Sequence, residues 1–228
     1  MPGLFVVGTD TGVGKTVVTA AITRSLSRRG QRVTVCKPVA TGAEAQDGGH
    51  LADDTRRLAH AAGHSEYARV TPWALSQPAA PPVAARIAGV KLDVEVIAGR
   101  VTQTAPPESL LLVEGIGGLL CPLTDSETVA DLAAMLRFPL VVVARRSLGT
   151  LNHTLLTLEV ARKRGLPVAG VVVNETSPVR SYAEETNVEE LSKRIAVPLL
   201  AVVPYLANPY DGQIDSLAAV DWQRLAGG

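Results

Sequence analysis

Residues 8–16 read Gly-Thr-Asp-Thr-Gly-Val-Gly-Lys-Thr and follow directly on the apolar run Leu4–Val7. Residue types in this order suit a nucleotide polyphosphate. Glycines let backbone N–H groups turn inward around phosphate oxygens, Lys15 reaches the outer phosphates, and the Thr16 hydroxyl can ligate Mg²⁺. A helix beginning here adds its positive N-terminal end. The strict pattern asks for glycine five residues before Gly14, where this chain has Thr9, with Gly8 one step earlier. Further along, Lys37-Pro38 and Thr41-Gly42 follow a second apolar run, and Glu114-Gly115-Ile116-Gly117-Gly118 follows a third. A lysine closing an apolar run has to turn its charge into a crevice or out to solvent; in a crevice it can face phosphate or a developing anion. Glu114 can hold Mg²⁺ opposite Thr16, directly or through water, or it can cap a helix or join an ion pair. Asp53-Asp54 opens a helical stretch. Capping is the ordinary role of such a pair, with Asp54 able to complete a metal shell instead.

Stepping outward, the elements that must hold these residues show in the hydrophobic pattern. Strand-length apolar runs recur at Leu4–Val7, Arg32–Cys36, Leu110–Val113, Leu140–Ala144, Val168–Val173 and Leu199–Val203. They are nearly continuous, as expected of strands covered on both faces. Helical patterns alternate with them at Val17–Arg29, Val83–Ala88, Val94–Thr104, Val129–Leu136, Leu151–Arg164, Tyr182–Ile195 and Ile214–Leu225. The expectation is a single α/β domain over residues 1–228, a mostly parallel sheet flanked by helices and joined by right-handed crossovers. Such a sheet binds ligands at the carboxyl ends of its strands. The proline-rich stretch Val70–Pro82 reads as a loop lining the substrate pocket.

Composition narrows the function classes. Lys+Arg and Asp+Glu are 22 each, so net charge gives no argument for nucleic acid or an anionic membrane as partner. No apolar run approaches the ~20 residues of a membrane span, and no secretory signal is read. A cytoplasmic protein acting on small molecules is the expectation. Cys36 and Cys121 are isolated and read as buried thiols rather than a disulfide or metal site. His60 and His64 sit four apart without a further ligand at metal spacing. Asn174 could present its amide to a nucleobase or simply end a strand, and Arg145-Arg146 could meet an acidic ligand group, face solvent or pack at an interface.

Together, the loop 8–16, Lys37-Pro38-Val39 with Thr41-Gly42, Val113-Glu114-Gly115 with Gly117-Gly118, Leu148-Gly149-Thr150-Leu151-Asn152-His153, Asn174 and Val203-Pro204-Tyr205-Leu206 resemble the dethiobiotin synthetase family of P-loop NTPases, in its order and over almost the whole chain. The resemblance implies a homodimeric enzyme of biotin synthesis that uses ATP, Mg²⁺ and CO₂ to close the ureido ring of 7,8-diaminopelargonate. Carried over by position, Lys15 and Lys37 stabilise charge on the phosphoryl group and carbamate, and Thr16, Asp54 and Glu114 hold Mg²⁺. Nucleotide contacts come from Gly12, Val13, Gly14, Lys15, Thr16 and Val17, with Gly115, Gly117, Asn174, Pro204, Tyr205 and Leu206. Thr11 and Thr41 contact the diamine or its carbamate, while Gly149, Thr150, Leu151 and Asn152 hold the substrate carboxylate in the partner subunit's site. Two rivals share the loop. A cobyrinic acid a,c-diamide synthase relative carries a further glutaminase-like domain that 228 residues do not accommodate. A partitioning or positioning ATPase of the switch type places a signature lysine where this chain has Asp10.

Overall fold

A computed structural model describes residues 1–46, 49–179, 181–205 and 213–227. The first half runs β1 (Gly3–Gly8), α1 (Lys15–Arg28), β2 (Val33–Cys36), β3 (Val39–Thr41), β4 (Glu44–Gln46), β5 (Gly49–Leu51), α2 (Asp53–Ala62), α3 (Tyr67–Val70), β6 (Trp73–Leu75), α4 (Pro81–Ile87) and α5 (Val94–Thr104). The second half runs β7 (Leu110–Gly118), α6 (Val129–Leu136), β8 (Leu140–Arg145), α7 (Thr150–Lys163), β9 (Val168–Asn174), α8 (Tyr182–Ser192), β10 (Leu199–Val203), α9 (Gln213–Ala218) and α10 (Trp222–Gly227).

Six strands form one parallel sheet in the order β10-β9-β8-β1-β7-β2. Alternation along each strand sends successive side chains to opposite faces, which explains why the apolar runs are continuous. Leu4 and Val6 of β1 join Leu110, Leu112, Val141 and Val143 on the face covered by α1 and by Trp222 of α10. Phe5 and Val7 join Leu111, Val113, Leu140 and Val142 on the face covered by α5 and α6. On α1 the apolar seam is Val18, Ile22 and Leu26, spaced four apart, so each lies above the last on one helix face. Two caps fix later helix starts: Asp93 accepts from the Val96 N–H at 3.1 Å, and Thr128 with Asp131 forms a capping box on α6.

Three departures from the sequence reading follow from local chemistry. β7 runs on past Val113 to Gly118, because its glycines stay alongside β1 with Gly8 opposite Gly118. Glu114 is therefore a buried residue within a strand and not its last one. The segment 70–82 is not a continuous loop: β6 pairs in parallel with β3, Thr41 lying opposite Leu75, and the Gly42 N–H donates to Gln77 O at 3.1 Å. The expected helix 214–225 is two short ones, the second opened by Asp221, whose carboxylate accepts from the Arg224 N–H at 3.0 Å. Both cysteines are free; Cys36 is buried and its thiol is pushed up to about 12 by burial, whereas Cys121 is only half-buried.

Candidate active site

The loop between β1 and α1 is shaped by two demands at Gly14. Its φ of 90° lies in the left-handed region, and a Cβ there would stand 2.1 Å from Asn174 Nδ2. Asn174, the last residue of β9, donates from that nitrogen to Val13 O at 3.0 Å, pinning the loop from the far side of the sheet. Gly8 is equally constrained by space, since a Cβ would approach Lys15 Nζ to 2.8 Å and Asp10 O to 2.6 Å. That explains why the glycine sits at 8 while Thr9 is tolerated.

Lys15 is the first residue of α1 and is almost fully buried. Its ammonium donates to Asp10 O at 3.0 Å and Gly117 O at 2.8 Å. Burial is the largest influence on it and outweighs the attraction of Glu114, so Lys15 titrates below the ordinary lysine value. Lys37, just past β2, is as deeply buried but differently partnered. It donates to Glu114 Oε1 at 3.0 Å and forms a short ion pair with Asp54. Burial pulls its pKa down, yet the carboxylates of Glu114 and Asp54 together carry it above the ordinary value. Asp54 mirrors this: burial pushes it up, and the Lys37 ammonium holds it below the usual aspartate value.

Glu114 joins the two lysine neighbourhoods. Its Oε1 accepts from Thr16 Oγ1 at 2.8 Å as well as from Lys37, while its buried Oε2 has no hydrogen-bond partner among the described residues. Thr16, Lys37, Asp54 and Glu114 are thus one hydrogen-bonded cluster, with Lys15 beside it. Asp53 points elsewhere; it pairs with Arg57 at 2.7 Å and makes no side-chain cap, the cap position being Ala52.

The other expected residues distribute around this cluster. Gly12 is an exposed left-handed residue, Thr11 is exposed with its N–H on Asp10 Oδ1 at 2.7 Å, and Val17 is half-buried in the first turn of α1. Thr41 is half-buried at the end of β3 and makes no hydrogen bond to the cluster among the described residues. Gly115 turns toward the core, where a Cβ would meet Val129 at 3.1 Å and Phe5 at 3.2 Å, so only its backbone remains for a nucleotide. Gly149 is left-handed at φ 93° and opens α7, with Thr150 buried, Leu151 half-buried and Asn152 exposed. Pro204 and Tyr205 are exposed just past β10, and Leu206 lies outside the described residues. Asn174 is buried, and its Oδ1 has no partner among the described residues.

The sequence reading missed Glu175 and Asn187. Glu175 pairs with Arg146 and accepts from the Tyr205 N–H at 3.0 Å, and Asn187 of α8 donates to Ser147 O at 3.0 Å. The only signal for the first was the conspicuous Arg145-Arg146 pair. Two larger cavities, about 480 Å³ each, lie away from this cluster. One is lined by Arg32, His64 and Arg69 beside β2, the other by Arg86 and Asp93, and neither contains a residue of the lysine cluster.

A family profile described as an AAA domain matches residues 2–209. The ATP-dependent dethiobiotin synthetase BioD of Anoxybacillus flavithermus is 38% identical over 209 residues, covering 91% of this chain and 94% of that protein. The protein of the same name from Anaeromyxobacter dehalogenans is 41% identical over 209 residues, covering 90% and 91%. That from Thermodesulfovibrio yellowstonii is 39% identical over 215 residues, covering 90% of each. The chain belongs to the ATP-dependent dethiobiotin synthetase family. Solved structures show the same fold at greater distance. The septum site-determining protein MinD of Pyrococcus horikoshii, complexed with Mg-ADP, superposes with a TM-score of 0.59 at 20% identity, covering 98% of this chain and 89% of that one. The MinC:MinD complex of Aquifex aeolicus gives 0.58 at 13%, covering 98% and 94%. Membership of the synthetase family and likeness to MinD therefore separate cleanly: sequence carries the first, architecture alone the second. Among the described residues no helix is long and apolar enough to cross a membrane.

Proposed function

We propose that this chain closes the ureido ring of dethiobiotin, consuming ATP, CO₂ and 7,8-diaminopelargonate and releasing ADP and phosphate. The observation that carries this reading is the cluster of Thr16, Lys37, Asp54 and Glu114 with Lys15 beside it, drawn from the starts of α1 and α2, the end of β2 and the middle of β7, in a chain of the synthetase family. In the reaction, one amine of the substrate adds to CO₂ and loses a proton to give a carbamate. A carbamate oxygen attacks the γ-phosphorus, the bond to the bridging oxygen breaks, and ADP leaves. The second amine then attacks the carbonyl carbon of the carbamic–phosphoric anhydride, inorganic phosphate departs, and loss of a proton completes the ring.

None of these steps asks for a protein nucleophile; they need alignment and neutralisation of charge. Lys15 leaves its two backbone carbonyls for phosphate oxygens, an exchange favoured because burial already disfavours its unpaired charge. Lys37, held charged by Asp54 and Glu114, faces the carbamate and the transferring phosphoryl group. The donors also fit Mg²⁺. They are hard oxygens, two carboxylates and one hydroxyl, and Glu114 Oε2, a buried acceptor without a partner among the described residues, suits a cation. Thr16, Asp54 and Glu114 would hold the ion, which when bound supplies charge neutralisation across the outer phosphates.

Asn174 and the Pro204–Tyr205 backbone bracket the base in this reading. The substrate carboxylate sits at the free N–H groups opening α7 of a second protomer, a neutral way to hold an anion. A homodimer is supported by the exposed leucines Leu120, Leu148 and Leu156 and by a cleft of about 240 Å³ between Gly118–Cys121 and His153–Val160. The test is phosphate release with ATP, Mg²⁺ and bicarbonate, with and without the diamine, alongside mass detection of the ring-closed product. Phosphate released in step with product is the expected result. Hydrolysis indifferent to the diamine would overturn the proposal and favour a switch ATPase.

A further inference from the structure

Arg146 has no role in the reading above, and its surroundings give it a partner other than an acidic ligand. All three guanidinium nitrogens are engaged within the protein. Nη1 pairs with Glu175, Nε donates to Glu184 O at 2.7 Å, and Nη2 makes a longer contact with Glu185 O at 3.4 Å. Glu175 is equally committed: Oε1 takes Arg146, and Oε2 takes the Tyr205 N–H at 3.0 Å. The side chains are only 19% and 13% exposed, so this is an enclosed pair rather than a surface one. Backbone bonds run parallel to it, from Arg146 N to Asn174 O at 3.0 Å and from Glu175 N to Val203 O at 2.9 Å.

The pair lies where three strand ends meet. On one side it fixes Tyr205, next to Asn174. On the other, Arg146 precedes the turn 147–149 into α7, which Asn187 of α8 also holds by its bond to Ser147 O. We propose that the Arg146–Glu175 pair is a positioning device for nucleotide recognition, setting Tyr205 and Asn174 against the base and tying them to the turn that opens α7. It rests on the reading of Asn174 and Tyr205 as the base end of the site. The base is uncharged, so its binding depends on shape and on a few aligned hydrogen bonds rather than on long-range attraction. Small displacements there cost much affinity, and removing one member of an enclosed ion pair leaves the other uncompensated and moves its neighbours. Glu175 Oε2 accepts from the Tyr205 N–H, so the carboxylate acts on the base end through Tyr205.

The experiment measures binding to the full-length chain by calorimetry, with ADP and with inorganic tripolyphosphate, which lacks a base. Arg146→Met and Glu175→Gln should each weaken ADP by about tenfold while tripolyphosphate stays within about twofold, and Arg146→Lys should recover part of the loss. The double variant should be no worse than the weaker single one, as for two groups acting as a unit. Steady-state kinetics should show the KM for ATP rising with kcat nearly unchanged. If Arg146→Met does not fold, Glu175→Gln, which preserves size, carries the test alone. Unchanged ADP binding, or ADP and tripolyphosphate weakening alike, overturns the inference. Failure of the wild-type chain to make dethiobiotin while binding ADP would sink the ring-closing reading and leave this one intact.

Discussion

Around β1, β7 and β2, charge is mutually compensated: Lys37, the buried Glu114, the half-exposed Asp54 and the Thr16 hydroxyl share one hydrogen-bonded cluster, with Lys15 beside it. At the other end, where β8, β9 and β10 finish, the group that reaches the glycine-rich loop is a neutral amide, Asn174, and the charged pair Arg146–Glu175 is turned inward to hold backbone. The contrast separates two tasks. A group that must stabilise a transferring phosphoryl needs full charge in a water-poor site. A group that recognises a base needs position, and its charges serve as struts.

Even within the charged end the two lysines differ, and that difference is the sharpest thing to break. Lys15 donates to backbone carbonyls, and burial outweighs the pull of Glu114 and Asp54 on its charge; Lys37 donates to those carboxylates directly, and they outweigh burial. Lys15→Met should lower turnover by about 10³-fold yet raise the stability of the ligand-free protein by about 1 kcal/mol. Lys37→Met should lower turnover by about 10²–10³-fold and destabilise the protein by about 3 kcal/mol, since it leaves buried Glu114 without its cation. Urea denaturation of both variants decides the matter, and movement in the same direction would refute the distinction. Gly14→Ala should next remove nucleotide binding, because the left-handed φ and the 2.1 Å approach to Asn174 Nδ2 act together. Trimming the opposing amide in a Gly14→Ala/Asn174→Gly double variant should restore part of it, measured as ADP affinity.

At the base end, Asn174→Ala should raise the KM for ATP by about tenfold with kcat little changed, the worth of one or two hydrogen bonds. A fall in kcat as large as that of Lys37→Met would erase the division between the two ends. Smallest of all, Asp131→Asn, in the α6 capping box and away from both ends, should cost about 1 kcal/mol of stability and no activity. Burial pushes the Asp131 carboxyl up, but its bonds to Thr128 and its pairing with Arg164 hold it below the ordinary 3.8. Its contribution is therefore complete above that unfolded value and is lost as pH falls through the lower folded one. Wild type and variant should converge in acid denaturation profiles.

Strand and helix positions were legible because the sheet is buried on both faces and glycines and caps punctuate the chain; α5, α6 and β10 fall where periodicity puts them. The phosphate loop and Lys37 were legible because a lysine or glycine run at a strand end has few other uses. Short strands such as β3 and β6 were not, since three residues carry no period and their pairing is a tertiary matter. Likewise, the alternatives open at Asp53 and Asp54 depended on which helix face meets Lys37, a fact of packing. Glu175 was hard to find for the same reason: its partners Arg146 and Tyr205 are 29 and 30 residues away, and only the Arg145-Arg146 pair pointed towards it.

β1 lies in the middle of the sheet, between β7 and β8, and its loop is closed by Asn174. During synthesis, then, β1 leaves the ribosome well before its two neighbours, which come with residues 110–118 and 140–145. At about 5–20 residues per second, that leaves an apolar segment without partners for several seconds or more. The phosphate loop waits longer, because Val13 and the amide that braces it are 161 residues apart. A stalled fragment ending before β9 would carry the whole loop sequence and still lack the brace that shapes it.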